Sequence, residues 1–234
     1  MNNIKIRKSN DRGHANHGWL DSYFTFSFAD YYDEAHMGYR TLRVINDDVI
    51  EAGQGFGMHG HKDMEIISYV LEGELAHKDS MGNISVIKTG NFQRMTAGTG
   101  VKHSEFNPSP NNKAHLLQIW ILPEKNELTP SYQELNLADL KNQNGLILIA
   151  SNQDKDGIIK IHQDVQLSRG YFKTNEKVDY PVKPGRGVWI HILKGTIEIN
   201  GMKLQTGDSA SIDNEKNIPI ATHAESEFLL FDLK

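Results

Sequence analysis

The chain has 234 residues, a formal net charge of -5, 38% apolar and 24% charged residues, and no cysteine. Such values describe a globular protein with material for one or two cores. They exclude disulfides, thiolate metal sites and cysteine nucleophiles, and no run of Lys or Arg suggests a phosphate-tracking surface, so any metal must be held by nitrogen and oxygen.

The opening stretch MNNIKIRKSNDRGHANHG lacks the apolar segment of a secretory signal, and no stretch approaches the ~18 apolar residues of a membrane helix. A cytoplasmic address with neither membrane nor nucleic-acid partners is the expectation. Ile4 to Arg7 reads as a short strand. Phe24, Phe26 and Phe28 then alternate with Thr25 and Ser27, the period of a half-buried strand, with core packing the first role and a cavity lining for one or two rings the second. His14, His17 and His36 have no partner at metal-ligand spacing and read as surface or hydrogen-bonded groups.

Tyr39 to Asn46 alternates as a strand and is followed by Asp47-Asp48, read as a turn; Gly53, Gly55 and Gly57 predict a loop ahead of Met58. Ile66 to Leu71 is a continuous apolar run, as for a strand buried on both faces. Glu74 to Lys78, a turn at Asp79 to Asn83, Ile84 to Ile87, Phe92 to Met95 and Leu116 to Leu122 continue a meander of short antiparallel strands. Glu127 to Lys141 has helical character, with Leu135, Leu137 and Leu140 among polar residues, and predicts a partly helical linker over 123–146. The second half is again β, with Asn200-Gly201 supplying the φ > 0 positions of a two-residue hairpin that sets Ile199 opposite Met202 and Ile197 opposite Leu204.

Two pairs of side chains carry the chemistry. His59 and His61, and His103 and Glu105, are each spaced i, i+2. In an extended strand that spacing turns both members to one face, so two strands can offer four ligands to one point. Three imidazoles and a carboxylate leave two positions of an octahedral ion open, the logic of non-haem Fe(II) centres.

The halves also repeat. Leu71-Glu72-Gly73 echoes Leu193-Lys194-Gly195, and Thr89-Gly90-Asn91 echoes Thr206-Gly207-Asp208. Extending these offsets puts Pro181, Lys183, Ile220 and Thr222 where the four ligands stand. The second copy is therefore expected to hold no metal, with His191 and His223 as isolated hydrogen-bonded histidines.

Gly53, His59-x-His61, Glu65 and Gly73 resemble the first cupin motif, and GNFQRMTAGTGVKHSEFN resembles the second, with Thr96 where many cupins have proline. More specifically, HGWLDSYFTFSFADYY, LRVINDD, MEIISYVLEG, HKDSMGN and MTAGTGVKHSEFNPS resemble the bacterial pirin-like bicupins, some of which degrade quercetin. The resemblance implies an all-β protein of two tandem cupin sandwiches: a metal-binding domain at 1–122, the linker, and a metal-free domain at 147–234. It places the ligands on His59, His61, His103 and Glu105; the general cupin pattern would instead use Glu65, which then becomes a second-shell or buried paired acid. Where the family has His-Pro-His, this chain has Gly60.

The implied activity is a quercetin 2,3-dioxygenase-like cleavage of a flavonol with dioxygen and release of carbon monoxide. Glu105 would be the base, and Phe56, Met58, Phe92, Met95 and Trp120 the cavity walls. One divalent ion per chain is expected, Fe(II) first, with Ni, Co, Mn and Cu compatible with the same donors. The alternative is a non-enzymatic, iron-dependent redox sensor that binds a protein partner, as nuclear pirin does.

Overall fold

Alternation of apolar and polar residues becomes strand throughout the computed structural model, which describes residues 3–137, 140 and 143–234. Strand β1 (Ile4–Arg7) opens the chain and is followed by β2 (Gly13–Asn16), β3 (Leu20–Phe24), β4 (Leu42–Ile50), β5 (Gly55–His61) and β6 (Glu65–Glu72). Next come β7 (Glu74–Asp79), β8 (Ile84–Lys88), β9 (Phe92–Thr96), β10 (Val101–Phe106), β11 (Ala114–Ile121) and β12 (Ser131–Leu135). The second half holds β13 (Gly145–Ser151), β14 (Ile159–Lys160), β15 (Val165–Phe172), β16 (Lys177–Pro181) and β17 (Gly187–Lys194). It ends with β18 (Thr196–Ile199), β19 (Met202–Gln205), β20 (Ser209–Asp213), β21 (Asn217–Thr222) and β22 (Ser226–Leu233). Among the described residues, no helix is long and apolar enough to cross a membrane.

The chain divides into two units, Gly13–Ala138 with Ile159–Gln163, and Met1–Arg12 with Asp139–Ile158 and Asp164–Lys234. The N-terminal strand thus belongs to the C-terminal unit, where β1 pairs with β20. In the N-terminal unit the larger sheet is ordered β12, β9, β6, β11, β4, β3, β2 and the smaller β5, β10, β7, β8. In the C-terminal unit the same succession recurs as β1, β20, β17, β22, β15, β13, with a smaller sheet of β16, β21, β18, β19. Each unit is a two-sheet cupin sandwich whose inner faces meet: Ile50, Val70 and Leu116 of one sheet cluster with Leu75 and Ile87 of the other.

The glycines of the repeated Leu-x-Gly turn are required by backbone geometry. Gly73 and Gly195 have φ of 76° and 87°, and a Cβ would meet Lys113 O at 2.8 Å and Glu225 O at 2.4 Å respectively. The hairpin at Asn200-Gly201 takes the expected register, Ile199 opposite Met202 and Ile197 opposite Leu204.

Four local expectations are corrected. Asp47 and Asp48 do not form a turn but sit inside β4, because Asp47 accepts from His115 at 2.6 Å and Asp48 from Ser22, which satisfies both in a ladder. Gly55 and Gly57 belong to strand β5. Only Phe24 of the aromatic stripe lies in regular strand, in β3; Phe26 is buried beyond it and Phe28 bridges back to Tyr31. In place of a helix over Glu127 to Lys141, Ser131–Leu135 is a strand paired with β9; residues 138, 139, 141 and 142 of that expectation lie outside the described residues. Leu135 and Leu137 are two apart, the period of a strand rather than of a helix face, and pairing of Ser131–Leu135 with β9 follows it.

Candidate metal centre

β5 and β10 are neighbours, and their register puts His103 directly opposite His59 and Val101 opposite His61. A register shift falls between His103 and Glu105, so Glu105 pairs with Phe56. Gly55 makes that approach feasible, since a Cβ there would lie 2.2 Å from Glu105 O. On its other side β10 pairs with β7, setting His103 beside Asp79 and Glu105 beside His77.

The three histidines converge. Ring centroids lie 4.4 Å apart for His59 and His103, 4.8 Å for His59 and His61, and 4.9 Å for His61 and His103. One donor atom from each lies within 4.8 Å of the others, and His77, His103 and Glu105 form a second, overlapping group by the same measure. His103 belongs to both.

Electrostatics keep these rings ready to donate a lone pair. Burial, reinforced by His59, pushes His61 down to about 4. Burial followed by His59, His61 and His77 pushes His103 down to about 3. His59 Nδ1 donates to Gly57 O at 2.8 Å, which fixes its tautomer and leaves Nε2 as the acceptor. His103 is 1% exposed, and among the described residues neither of its ring nitrogens has a hydrogen-bond partner. Orphaning a buried polar atom costs about 1–3 kcal/mol. A cation bound by the three rings removes that cost, so the donor set fits a divalent ion.

Glu105 is buried beside this group. Ser68 Oγ donates to its Oε1 at 3.0 Å, and Gln118 Nε2 donates to Oε2. Burial raises its carboxyl to about 7; the Ser68 hydrogen bond opposes the rise and the nearby Asp48 adds to it. Glu65 lies elsewhere. Its neighbour Ile66 lines the cavity, so strand alternation turns Glu65 to the opposite face. There it accepts from Thr96 Oγ1 at 3.1 Å, contacts His162 Nδ1 at 3.2 Å and lies 4.0 Å from Arg94.

The histidines and Glu105 open into a cavity of about 210 Å³. Of the five residues expected to wall it, Phe56 and Trp120 do. Met58 is 55% exposed on the outer face of β5. Phe92 is buried and stacks on Tyr69 at 3.9 Å, and Met95 packs in a core cluster with Ile66, Ala97 and Val101. In place of those three the walls include Phe28, from the aromatic stripe whose second reading was cavity lining, and Asn46, Asp48, Ile66 and Gln118, which sequence reasoning missed. His77 was missed too, although His77-x-Asp79 carries the same i, i+2 signal as the two ligand pairs, and its Nε2 lies 3.3 Å from Asp79. Burial pushes His77 down, with Asp79 opposing.

The C-terminal unit shows what replaces these groups. Asn107 Nδ2 bonds Glu51 O, as Thr222 Oγ1 bonds Lys173 O, so Thr222 is the counterpart of Asn107. Two and four positions back, Ile220 and Ile218 stand for Glu105 and His103; Tyr180, opposite Ile218, stands for His59, and Val182 for His61. The expected counterparts Pro181, Lys183, Ile220 and Thr222 are therefore corrected. By strand ends, the turn before β21 is one residue shorter than the turn before β10, and the loop before β17 is two residues longer than the loop before β6, which displaces the sequence offsets. Neither set contains an imidazole or a carboxylate. His191 is buried with Nδ1 2.7 Å from Ser209 Oγ, and His223 meets Glu198 at 3.0 Å.

Fold and site together define a bicupin with a histidine and carboxylate donor set in its first sandwich. Residues 5–121 match the family model for pirin, and residues 148–233 that for the quercetinase C-terminal cupin domain. A quercetin 2,3-dioxygenase of Escherichia coli is 52% identical over 98% of both chains, and a putative quercetin 2,3-dioxygenase of Pasteurella multocida is 42% identical over 98% of this chain and 99% of its own. The crystal structure of the Escherichia coli bacterial pirin YhhW in complex with nickel(II) superposes with a TM-score of 0.94 at 52% identity, covering 98% of each chain. The chain belongs to the pirin family.

Proposed function

We propose that this protein is a metal-dependent dioxygenase that cleaves flavonols in the manner of a quercetin 2,3-dioxygenase, with His59, His61, His103 and Glu105 holding one divalent ion. The observation that carries the reading is His103, buried with both ring nitrogens lacking a partner, at the centre of three convergent imidazoles that face an aromatic-walled cavity. The relatives named quercetin 2,3-dioxygenase and the nickel complex of YhhW support it. Fe(II) is the first choice of ion; the donor set suits Ni, Co, Mn or Cu as well.

When bound, the ion would supply Lewis acidity toward the flavonol 3-hydroxyl and support its reaction with dioxygen. The chain's own groups do the rest. Phe28, Phe56 and Trp120 sandwich a flat aromatic and exclude water. Glu105 is placed to take the proton of the 3-hydroxyl, and Ser68 and Gln118 hold its two oxygens in place for the transfer. The balanced reaction adds both atoms of dioxygen to the flavonol, opens the central ring to a depside and releases carbon monoxide.

The test is carbon monoxide release from quercetin by protein loaded with Fe(II), compared with the same concentration of free iron. Turnover well above free iron supports the enzyme. Metal binding with no release favours the non-enzymatic regulator.

A further inference from the structure

A second cavity, of about 360 Å³, adjoins the metal-facing one and shares Phe28, Asn46, Asp48 and Phe56 with it. Its remaining walls include Trp19, Ser22 and Phe24, so it is an aromatic slot. Trp19 meets Phe56 edge-on at 5.1 Å and Phe24 lies 5.8 Å from Phe28, so the rings that shape both cavities brace one another.

The shared wall is polar. Asp48 is 3% exposed, and its Oδ1 accepts from Ser22 Oγ. Asn46 lies two residues back on β4 and therefore on the same face, about 7 Å away at the rise of a strand. Its Oδ1 is buried without a partner, as is Oε1 of Gln118, which is directly opposite Asn46 across the ladder. Two unpartnered acceptors and the Asp48 carboxylate thus stand at the junction of two aromatic-walled spaces. Such acceptors are costly to bury empty and reward a ligand that brings hydroxyl donors.

We infer that the adjoining slot is a subsite for the pendant ring of the substrate, and that Asp48 and Asn46 select for hydroxyl groups at that end of the molecule. This rests on the flavonol reading, because it assigns the two parts of one ligand to two spaces: the fused bicycle to the metal-facing cavity, the pendant ring to the slot. Asp48 is here a specificity-determining residue. Its counterpart in the other sandwich is Gly170, where the ring of Phe228 occupies the space a Cβ would need, so no equivalent slot exists there.

The test uses three ligands: a flavonol with a hydroxylated pendant ring, one with a bare pendant ring, and 3-hydroxychromone, which has none. Affinity is read by fluorescence quenching on metal-loaded protein, alongside carbon monoxide release. Asp48→Asn keeps the acceptor for Ser22 but turns a donor toward the slot, and should weaken the hydroxylated ligand about tenfold and the other two less than twofold. Trp19→Ala should weaken both pendant-ring ligands and leave 3-hydroxychromone unchanged. Equal losses for all three ligands, or none, would overturn the subsite. If Asp48→Asn lowers Tm sharply, Ser22→Ala, which leaves Oδ1 of Asp48 free to accept from the ligand, should change the affinity of the hydroxylated ligand and leave the other two within twofold, and an equal change or none for all three overturns the proposal equally. Wild type that binds with this ranking but releases no carbon monoxide refutes the dioxygenase reading while leaving the subsite standing.

Discussion

The two sandwiches share strand order and hydrogen-bonding scheme, yet one is hollow and polar where the other is filled. Ser68, Glu105 and Gln118 form a buried polar set in the N-terminal unit; at the same places the C-terminal unit has Ile190, Ile220 and Leu230, all in one apolar cluster. His103 and His61 are matched by Ile218 and Val182 of that cluster. Asp48 is matched by Gly170, which leaves room for the Phe228 ring. The lesson is that this fold does not need its cavity. The N-terminal unit carries buried ionisable groups that cost stability, and the metal site is what that cost supports.

The largest effect should come from breaking the hollow side. His59→Ala, His61→Ala or His103→Ala should lower metal content by at least about tenfold, abolish turnover and leave the strand content seen by circular dichroism unchanged. His191→Ala should leave metal content unaltered, and a loss of metal there would mean the comparison has the wrong sandwich. Next, Glu105→Gln should abolish flavonol turnover while Glu65→Gln retains a measurable fraction. Loss of metal in the Glu65 variant with retention in the Glu105 variant would transfer the ligand role.

The filled side can be broken too. Ile218→His with Ile220→Glu restores two ligand types to the C-terminal core without their partners, and should destabilise by roughly 3–5 kcal/mol and bind no additional metal. Denaturant unfolding followed in parallel with elemental analysis checks both outcomes.

A smaller effect concerns pH. Burial holds Asp48 up at about 7, above the ordinary 3.8. A raised folded-state value means the stabilisation is fully present below the unfolded value and is lost as pH rises through about 7. Metal-free wild type should therefore lose more Tm between pH 5 and pH 8 than Asp48→Asn does. Equal slopes would show that Asp48 is already compensated.

Much of this was legible from spacing. The i, i+2 pair His59/His61 turns to one face because a strand's period is two, and meets His103 there, whereas a register shift separates His103 from Glu105, which groups with His103 and His77; the Asn200-Gly201 turn fixed its own register. Asn46, Asp48 and Gln118 were not legible as site residues, because what makes them so is cross-strand pairing between positions 72 residues apart, such as Asn46 with Gln118. Asp47-Asp48 looked like a turn since two adjacent acids seldom sit in a buried strand; their partners, His115 and Ser22, lie far off in sequence. The counterparts of the ligands were misplaced by one or two residues since loop lengths differ between copies while ladders do not.

Metal stoichiometry tests the contrast most directly. Elemental analysis of the intact protein, loaded with excess Fe(II) or Ni(II) and then freed of unbound ion, should give close to one ion per chain for wild type and close to none for His103→Ala. A value near two for wild type, or near one for the variant, would contradict the account.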